Sequence, residues 1–160
     1  MAPTLGLRHA VLYVTDPAAS ARFYHQALGL EPKLESPDAV FLSSPGSATD
    51  HDLGLFRAKP GAAPEPGTLG LYHLAWEVGT LAELAEAKER LAGMGALVGE
   101  NNHGTSRSLY CHDPDGLEFE IMWELPAELH HPDEPSNVPL DLEADMARWG
   151  ADHPGRGVIR

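Results

Sequence analysis

The chain has 160 residues, of which 42% are hydrophobic and 22% are charged, proportions that exclude a wholly disordered or fibrous protein. Its 11 Lys and Arg residues against 24 Asp and Glu residues give a formal net charge of −13, which would repel nucleic acid and anionic membrane surfaces. The single cysteine excludes an internal disulfide. No apolar run approaches the roughly 18 residues of a membrane span, and the N-terminus lacks a signal-like segment. We therefore expect a cytoplasmic protein with neither a nucleic acid nor a membrane as partner.

The first module of the chain begins with a predicted strand over residues 7–14. A helix over residues 17–28 is predicted next, because Asp16 is a typical N-cap and Gly29 a typical C-terminal stop. Three short extended stretches follow, near residues 31–35, 39–43 and 51–56.

The same order of elements recurs after a connection rich in proline and glycine over residues 58–68. Thr80 can cap a helix over residues 81–92, which stops at Gly93. The extended stretches of this half lie near residues 96–99, 106–111 and 117–123, with a turn over residues 113–116.

The two halves are related by an internal repeat. Residues 7–14 and 71–78 are similar apolar runs, and the same offset of 64 positions relates His9 to His73. A constant offset together with a shared order of elements indicates two related modules. We therefore predict an α+β fold of two tandem βαβββ modules.

The composition changes from Pro126 onward, where prolines, histidines and acidic residues indicate a C-terminal extension. A short amphipathic helix is predicted near residues 140–149, because three apolar residues share one face at helical spacing: Leu142, Met146 and Trp149. The extension could pack on its own domain or reach across a second subunit.

Two repeat-related histidines stand at the start of otherwise apolar strands. His9 and His73 occupy equivalent positions, and strand alternation places each on the face shared by every second residue. An imidazole among apolar neighbours needs partners for both nitrogens, and a metal ion supplies one. Either histidine alone could be structural, whereas the pair favours a metal site.

The third ligand is predicted to be a carboxylate. Alternation along residues 117–123 places Glu118 and Glu120 on the face opposite three large apolar residues. Glu120 lies in the middle of the strand, where a carboxylate is unfavourable unless it is protonated, paired or bound to metal, whereas Glu118 is nearer the turn and is expected to be solvated. With His9 and His73, Glu120 completes a 2-His-1-carboxylate set, which leaves coordination positions open and suits ferrous iron.

These features resemble the vicinal oxygen chelate superfamily, which includes glyoxalase I, bleomycin and fosfomycin resistance proteins and type I extradiol dioxygenases. The resemblance covers about residues 5–125 and rests on the doubled βαβββ unit with His9, His73 and Glu120. It implies that the two modules form a curved mixed sheet around the metal site. The implied organisation is one domain of residues 1–125, with module one at about 5–58 and module two at about 69–125, and a C-terminal extension of residues 126–160.

Three positions are similar to the extradiol branch of that superfamily. Phe56 stands where glyoxalase I has a glutamate ligand, and subtracting the offset from Glu120 leads to this same residue. His51 stands near the start of a strand where the ring-cleaving enzymes have an active-site histidine. Tyr110 precedes Glu120 by ten residues, as does the active-site tyrosine of that branch.

One position differs from the branch. Its further histidine lies nine residues before the tyrosine, which here is Asn101, whereas His103 lies seven residues before Tyr110. With His103 taken in place of the family's histidine, the resemblance implies catalytic roles for His51, Tyr110 and His103. A solvated histidine, a core aromatic and a surface loop histidine are the respective structural alternatives.

Two neighbours of Tyr110 carry weaker signals. Arg107 could hold an anionic substrate group, but an arginine at a strand start is expected to be exposed. Cys111 should point away from Tyr110 and is expected to be a small core residue.

The resemblance implies an Fe(II)-dependent extradiol-type ring-cleaving dioxygenase that acts on a small catechol-like vicinal diol with O2. Fe(II) is the expected cofactor, with Mn(II), Ni(II) or Zn(II) as alternatives. His51 would accept a proton and Tyr110 would bond a substrate oxygen. Two other functions stay open: a glyoxalase-like metal-dependent isomerase or lyase, and a non-catalytic protein that binds a small molecule such as an antibiotic. We expect a homodimer.

Overall fold

The computed structural model describes residues 6–157 and has the predicted order of elements. The prediction of an α+β fold with two βαβββ modules is confirmed, because each module contributes one helix and four strands. Residues 1–5 and 158–160 of the predicted domain organisation lie outside the described residues. The elements are β1 (Ala10–Val14), α1 (Pro17–Leu28), β2 (Glu31–Glu35), β3 (Ala39–Ser43), β4 (Leu53–Arg57), β5 (Leu74–Glu77), α2 (Leu81–Gly93), β6 (Leu97–Asn102), β7 (Ser106–His112), β8 (Glu118–Glu124), a 3₁₀ helix (Ala127–Leu129) and α3 (Leu142–Trp149).

The chain divides into two compact units. Within residues 6–157, the first unit consists of the chain up to Glu65 and the turn Asp113–Asp115, and the second of Pro66–His112 and the chain from Gly116 onward. The C-terminal extension is thus grouped with the second module. No helix within residues 6–157 is long and apolar enough to cross a bilayer.

The first unit contains a four-stranded sheet in the order β1-β4-β3-β2, in which only the β1–β4 pair is parallel. Helix α1 begins where the side chain of Asp16 accepts two backbone N–H bonds of the first turn. It ends at Gly29, whose φ of 71° is a left-handed conformation that glycine adopts without strain. The core of this unit is formed by Val14, Ala21, Tyr24, Ala27, Val40, Leu42, Leu53 and Leu55.

The second unit repeats this sheet in the order β5-β8-β7-β6, again with one parallel pair, β5–β8. Helix α2 begins at a capping box, in which Thr80 accepts from the backbone N–H of Glu83 and the Glu83 carboxylate accepts from that of Thr80. The core of this unit is formed by Leu81, Leu84, Ala87, Leu91, Leu109, Cys111, Phe119, Ile121 and Trp123.

The strand register of the second unit places the candidate residues on one face. Glu120 on β8 pairs with Ala75 on β5 and with Tyr110 on β7. Directly paired residues of neighbouring strands point to the same side of a sheet. Glu120 and Tyr110 therefore share the face opposite the core, and the buried Ile121 confirms the predicted alternation along β8.

The C-terminal extension packs on the second unit of its own chain, one of the two arrangements that the sequence left open. The ring of Trp149 on α3 lies 5.9 Å from that of Trp123, centroid to centroid. Farther along, Thr80 forms an antiparallel bridge with Pro154. The predicted helix is confirmed, although it begins at Leu142 because Asp141 caps it through the backbone N–H of Ala144.

Candidate metal and substrate site

The second unit brings two of the three predicted metal ligands together. Nε2 of His73 lies 3.2 Å from Oε2 of Glu120, and the Glu120 side chain is only 9% exposed. His73 immediately precedes β5, whose parallel pairing with β8 sets this approach: Leu74 is level with Phe119 and the next residue with Glu120. A buried carboxylate here thus has a nitrogen donor as its neighbour.

Glu118 contacts the other side of the same imidazole. Its Oε1 lies 3.3 Å from Nδ1 of His73, and its Oε2 lies 3.8 Å from Nε2 of His112. The negative charge of Glu118, followed by the hydrogen bond that Tyr72 donates to it, raises the pKa of Tyr72. The expectation that Glu118 is simply solvated was therefore wrong. Its partner His73 lies 45 residues away, immediately before β5, and the Glu118 side chain is only 20% exposed.

The donor set fits a divalent metal ion. Bonds of about 2.0–2.2 Å from nitrogen and oxygen ligands place neighbouring donor atoms about 3 Å apart, close to the 3.2 Å between His73 and Glu120. A carboxylate on Nδ1 of a metal-binding histidine orients the ring and leaves Nε2 for the ion, which is the arrangement of Glu118. Within residues 6–157 no three His, Cys, Asp or Glu side chains form a ready-made metal-binding group. Two of the three predicted ligands thus lie in the second unit, and His9 belongs to the first.

The first unit places His9 beside His51. Their ring centroids are 4.5 Å apart, and the ring of His51 also packs edge-on against Phe41 at 4.9 Å. Nδ1 of His51 lies 3.0 Å from Oδ2 of Asp50, so Nε2 is the nitrogen left for another contact. His51 precedes β4 by two residues, since the strand begins at Leu53 and not at residue 51.

Asp52 fixes the loop that carries His51. Its carboxylate accepts hydrogen bonds from the backbone of Ser44 at 2.7 Å and from the hydroxyls of Ser47 and Thr49 at 2.8 and 2.7 Å. Burial acts to raise the pKa of Asp52, but these hydrogen bonds outweigh it and hold the pKa below its usual value. The loop is thus pinned next to His51 by a carboxylate that stays ionised.

Tyr110 and His103 form a hydrogen-bonded pair in the second unit. The Tyr110 hydroxyl lies 2.7 Å from Nε2 of His103, and its ring centroid lies 5.7 Å from that of His73. Burial and the charge of Glu120, in that order, raise the pKa of Tyr110, so its phenol is neutral and can donate the bond. The seven-residue spacing of this chain therefore still brings a histidine to the tyrosine. Oδ1 of Asn101 is buried with no hydrogen-bond partner among the described residues.

Arg107 is the main residue that the sequence analysis misplaced. It was expected to be exposed, but it is fully buried, and its guanidinium bonds Asp145 at 2.6 Å and Glu134 at 2.8 Å. Strand alternation carried a signal for this, because Arg107 shares the inward face of β7 with the core residues Leu109 and Cys111. The predicted core position of Cys111 is confirmed.

The model of the Glyoxalase/Bleomycin resistance protein/Dioxygenase superfamily matches residues 6–121. The chain is 33% identical over 125 residues to biphenyl-2,3-diol 1,2-dioxygenase 3 of Rhodococcus globerulus, a match that covers 76% of this chain and 65% of that protein. It is 28% identical over 138 residues to catechol-2,3-dioxygenase of Bacillus subtilis (strain 168), covering 85% and 47%. The chain thus spans about half to two thirds of these relatives.

The fold also has counterparts among solved structures. A glyoxalase/dioxygenase from Nostoc punctiforme superposes with a TM-score of 0.63 at 23% sequence identity, over 75% of this chain and 91% of that one. At this sequence identity, the similarity shows that the two proteins share the α+β fold and nothing more.

Proposed function

The chain belongs to the Glyoxalase/Bleomycin resistance protein/Dioxygenase superfamily, as its resemblance predicted, and we propose that it is a ring-cleaving dioxygenase of the extradiol type. Its substrates would be a small catechol-like vicinal diol and O2. The observation that carries this proposal is the convergence of His73, Glu120 and the Tyr110–His103 pair on one side of the second unit. The names of the two dioxygenase relatives support it.

His9, His73 and Glu120 are the proposed ligands of a divalent metal ion, with Fe(II) as the proposed native metal. When bound, such an ion supplies positive charge that stabilises the deprotonated diol and a coordination sphere with open positions. The ligand carboxylate carries one negative charge, and Glu118 holds the ring of His73 in place through Nδ1.

The remaining residues of the site handle protons and orient the diol. The neutral phenol of Tyr110 can donate to His103 while its oxygen accepts a hydrogen bond from a substrate hydroxyl. His51 is the proposed general base, and Nε2 is the atom that would take the proton, because Asp50 contacts Nδ1.

Phe56 weighs against the glyoxalase-like alternative. It lies on β4, pairs with Tyr13 and packs edge-on against Phe41 with ring centroids 5.6 Å apart. An isomerase site with a fourth protein ligand would need a carboxylate where this apolar ring lies. The isomerase, the lyase and the non-catalytic binding protein are accordingly the alternatives that the experiment below distinguishes from a dioxygenase. A homodimer and a cytoplasmic location remain predictions.

The proposal is tested by oxygen uptake. Protein loaded anaerobically with Fe(II) is mixed with aerated catechol, substituted catechols or 2,3-dihydroxybiphenyl, and ring fission is followed by visible absorbance. We expect uptake matched by a coloured product, lost in Glu120→Gln and retained in Glu100→Gln, whose carboxylate contacts Lys88 on the surface.

Three results would overturn the proposal. Stoichiometric metal without uptake for any diol, combined with turnover of thiol adducts of 2-oxoaldehydes, would indicate an isomerase. Small-molecule binding that is unchanged in Glu120→Gln and in metal-free protein would indicate a binding protein. Full dioxygenase activity in Glu120→Gln would remove Glu120 from the metal site.

A further inference from the structure

The C-terminal extension forms a continuous contact with the loop that carries His103. Ser136 donates its hydroxyl to the backbone oxygen of His103 at 2.9 Å. Asn102 and Val138 exchange backbone hydrogen bonds of 3.0 and 3.3 Å as an antiparallel bridge. Between them, Oδ1 of Asn137 lies 3.1 Å from Nδ1 of His103. Three consecutive residues of the extension thus bond one short loop.

The backbone of Asn137 is in an uncommon conformation. Its φ of 57° is the one positive value at a non-glycine position within residues 6–157. Asparagine tolerates the left-handed region better than most residues, and such conformations persist where the surroundings hold them. Here the bonds of Ser136 and Val138 on either side hold the turn that directs the Asn137 carboxamide to His103.

The buried Arg107 bonds both the loop that carries His103 and the extension. Its guanidinium bonds Oδ1 of Asn102 at 2.7 Å and the backbone oxygen of Gly104 at 3.1 Å, which fixes the loop. The same group bonds Glu134 and Asp145 of the extension. One buried cation therefore ties the two segments together on either side of the His103–Asn137 contact.

The extension also packs closely against Gly104 and lines a pocket beside His103. A Cβ atom at Gly104 would lie 3.4 Å from the backbone oxygen of Pro135, so the extension runs close against the loop. His103 lines a pocket of about 480 Å³ whose other wall is formed by extension residues, among them His130 and Glu134. The extension, and not the sheet alone, thus forms the surroundings of His103.

We propose that Asn137 is a positioning residue, which holds His103 with its proton on Nδ1 so that Nε2 accepts the hydroxyl proton of Tyr110. A carboxamide oxygen accepts hydrogen bonds, so its contact with Nδ1 requires a proton there and leaves Nε2 unprotonated in the neutral ring. Nε2 then accepts from Tyr110, whose oxygen can still accept a hydrogen bond from substrate. The catalytic meaning of this arrangement rests on the proposed function, whereas the arrangement itself does not.

The arrangement is tested on metal-free protein by the ¹⁵N chemical shifts of the His103 ring, which distinguish a protonated from an unprotonated ring nitrogen. We expect the Nδ1–H form in the wild type and in Asn137→Asp, which keeps an acceptor. Asn137→Gly tolerates the positive φ but lacks the acceptor, and should shift the ring toward the other tautomer. Asp133→Asn is the matched control, because this carboxylate in the same extension is 92% exposed.

The reaction supplies the second readout. For a diol that the enzyme turns over, we expect Asn137→Gly to lower kcat about tenfold or more with a smaller change in KM, and Asn137→Asp to restore most of it. An Nε2–H ring in the wild type, or a tautomer that is unchanged in Asn137→Gly, would overturn the arrangement. A changed tautomer with unchanged kcat would overturn its catalytic role. Absence of turnover by the wild type contradicts the proposed function and leaves the NMR result to decide the arrangement.

Discussion

Glu118 lies 3.3 Å from Nδ1 of His73, on the edge of the imidazole opposite to Glu120. The two carboxylates are two residues apart on β8 and therefore point to the same face of the sheet. The histidine that precedes β5 lies between them. A neutral imidazole donates from one nitrogen only. With Glu118 as the acceptor at Nδ1, the lone pair of Nε2 is left for the proposed metal ion beside Glu120.

Replacement of Glu118 by Gln should therefore weaken metal binding about 10- to 100-fold while the fold is retained, because an amide orients the histidine less strongly than a carboxylate. The measurement is competition with a chromophoric chelator for Fe(II) or Zn(II). Glu100→Gln is the control, since this carboxylate pairs with Lys88 on the surface. Equal affinity for the wild type and Glu118→Gln would contradict the assigned role.

The buried Arg107 should contribute more to the free energy of unfolding than an exposed arginine does. Arg107→Met leaves the carboxylates of Asp145 and Glu134 without their buried partner, and removal of one member of a buried pair costs about 3–5 kcal/mol. Arg156→Gln is the comparison, because its pair with Glu124 is 57% exposed on the arginine side and surface pairs contribute about 0–1 kcal/mol. Urea unfolding of the two variants measures the difference. Equal losses of unfolding free energy would show that the Arg107 network is not a strong anchor.

The contrast between these two arginines shows what could be predicted from the sequence. Helix α1 has the predicted bounds, because its cap at Asp16 and its stop at Gly29 are local signals. The partners of Arg107 lie 27 and 38 residues away in a segment without a repeat equivalent. Long-range ion pairs leave no periodic pattern, so the sequence left open whether the extension packs on its own domain or reaches across a second subunit.

The candidate site likewise combines residues that sequence patterns could identify with a contact that they could not. The repeat and strand alternation identified His73 and Glu120, whose convergence depends on the regular register of β5 and β8. Asn137 contacts His103 across 34 residues through an irregular turn. No periodicity of the sequence could place that contact, and a side chain on a loop is positioned by partners that only the folded chain brings together.

Acid should destabilise the protein partly through Glu134. Burial acts to raise its pKa, but hydrogen bonds from Arg148 and Arg107 outweigh this and lower the pKa below the usual value of 4.5. A carboxyl whose folded pKa is lowered contributes stability that is complete above the unfolded pKa and is lost as the pH falls through the folded pKa. The unfolding free energy should thus fall below about pH 4.5, and less steeply in Glu134→Gln. Identical slopes in the two proteins between pH 6 and pH 3 would contradict this.

Cys111 should report on the opening of the second unit. Its side chain is fully buried on β7 among core residues, and burial followed by the charge of Glu118 raises the pKa of its thiol to about 12. The thiolate is the reactive form, and at pH 8 only about one thiol in 10⁴ would be ionised in the folded state. We expect Ellman's reagent to react slowly with the native protein. In urea, the thiol should react at the rate at which the protein unfolds. In Arg107→Met the native reaction should accelerate, because a destabilised unit opens more often, whereas Arg156→Gln should react like the wild type. Fast reaction of the native wild-type thiol would show that β7 is accessible without unfolding and would contradict a closed core around Cys111.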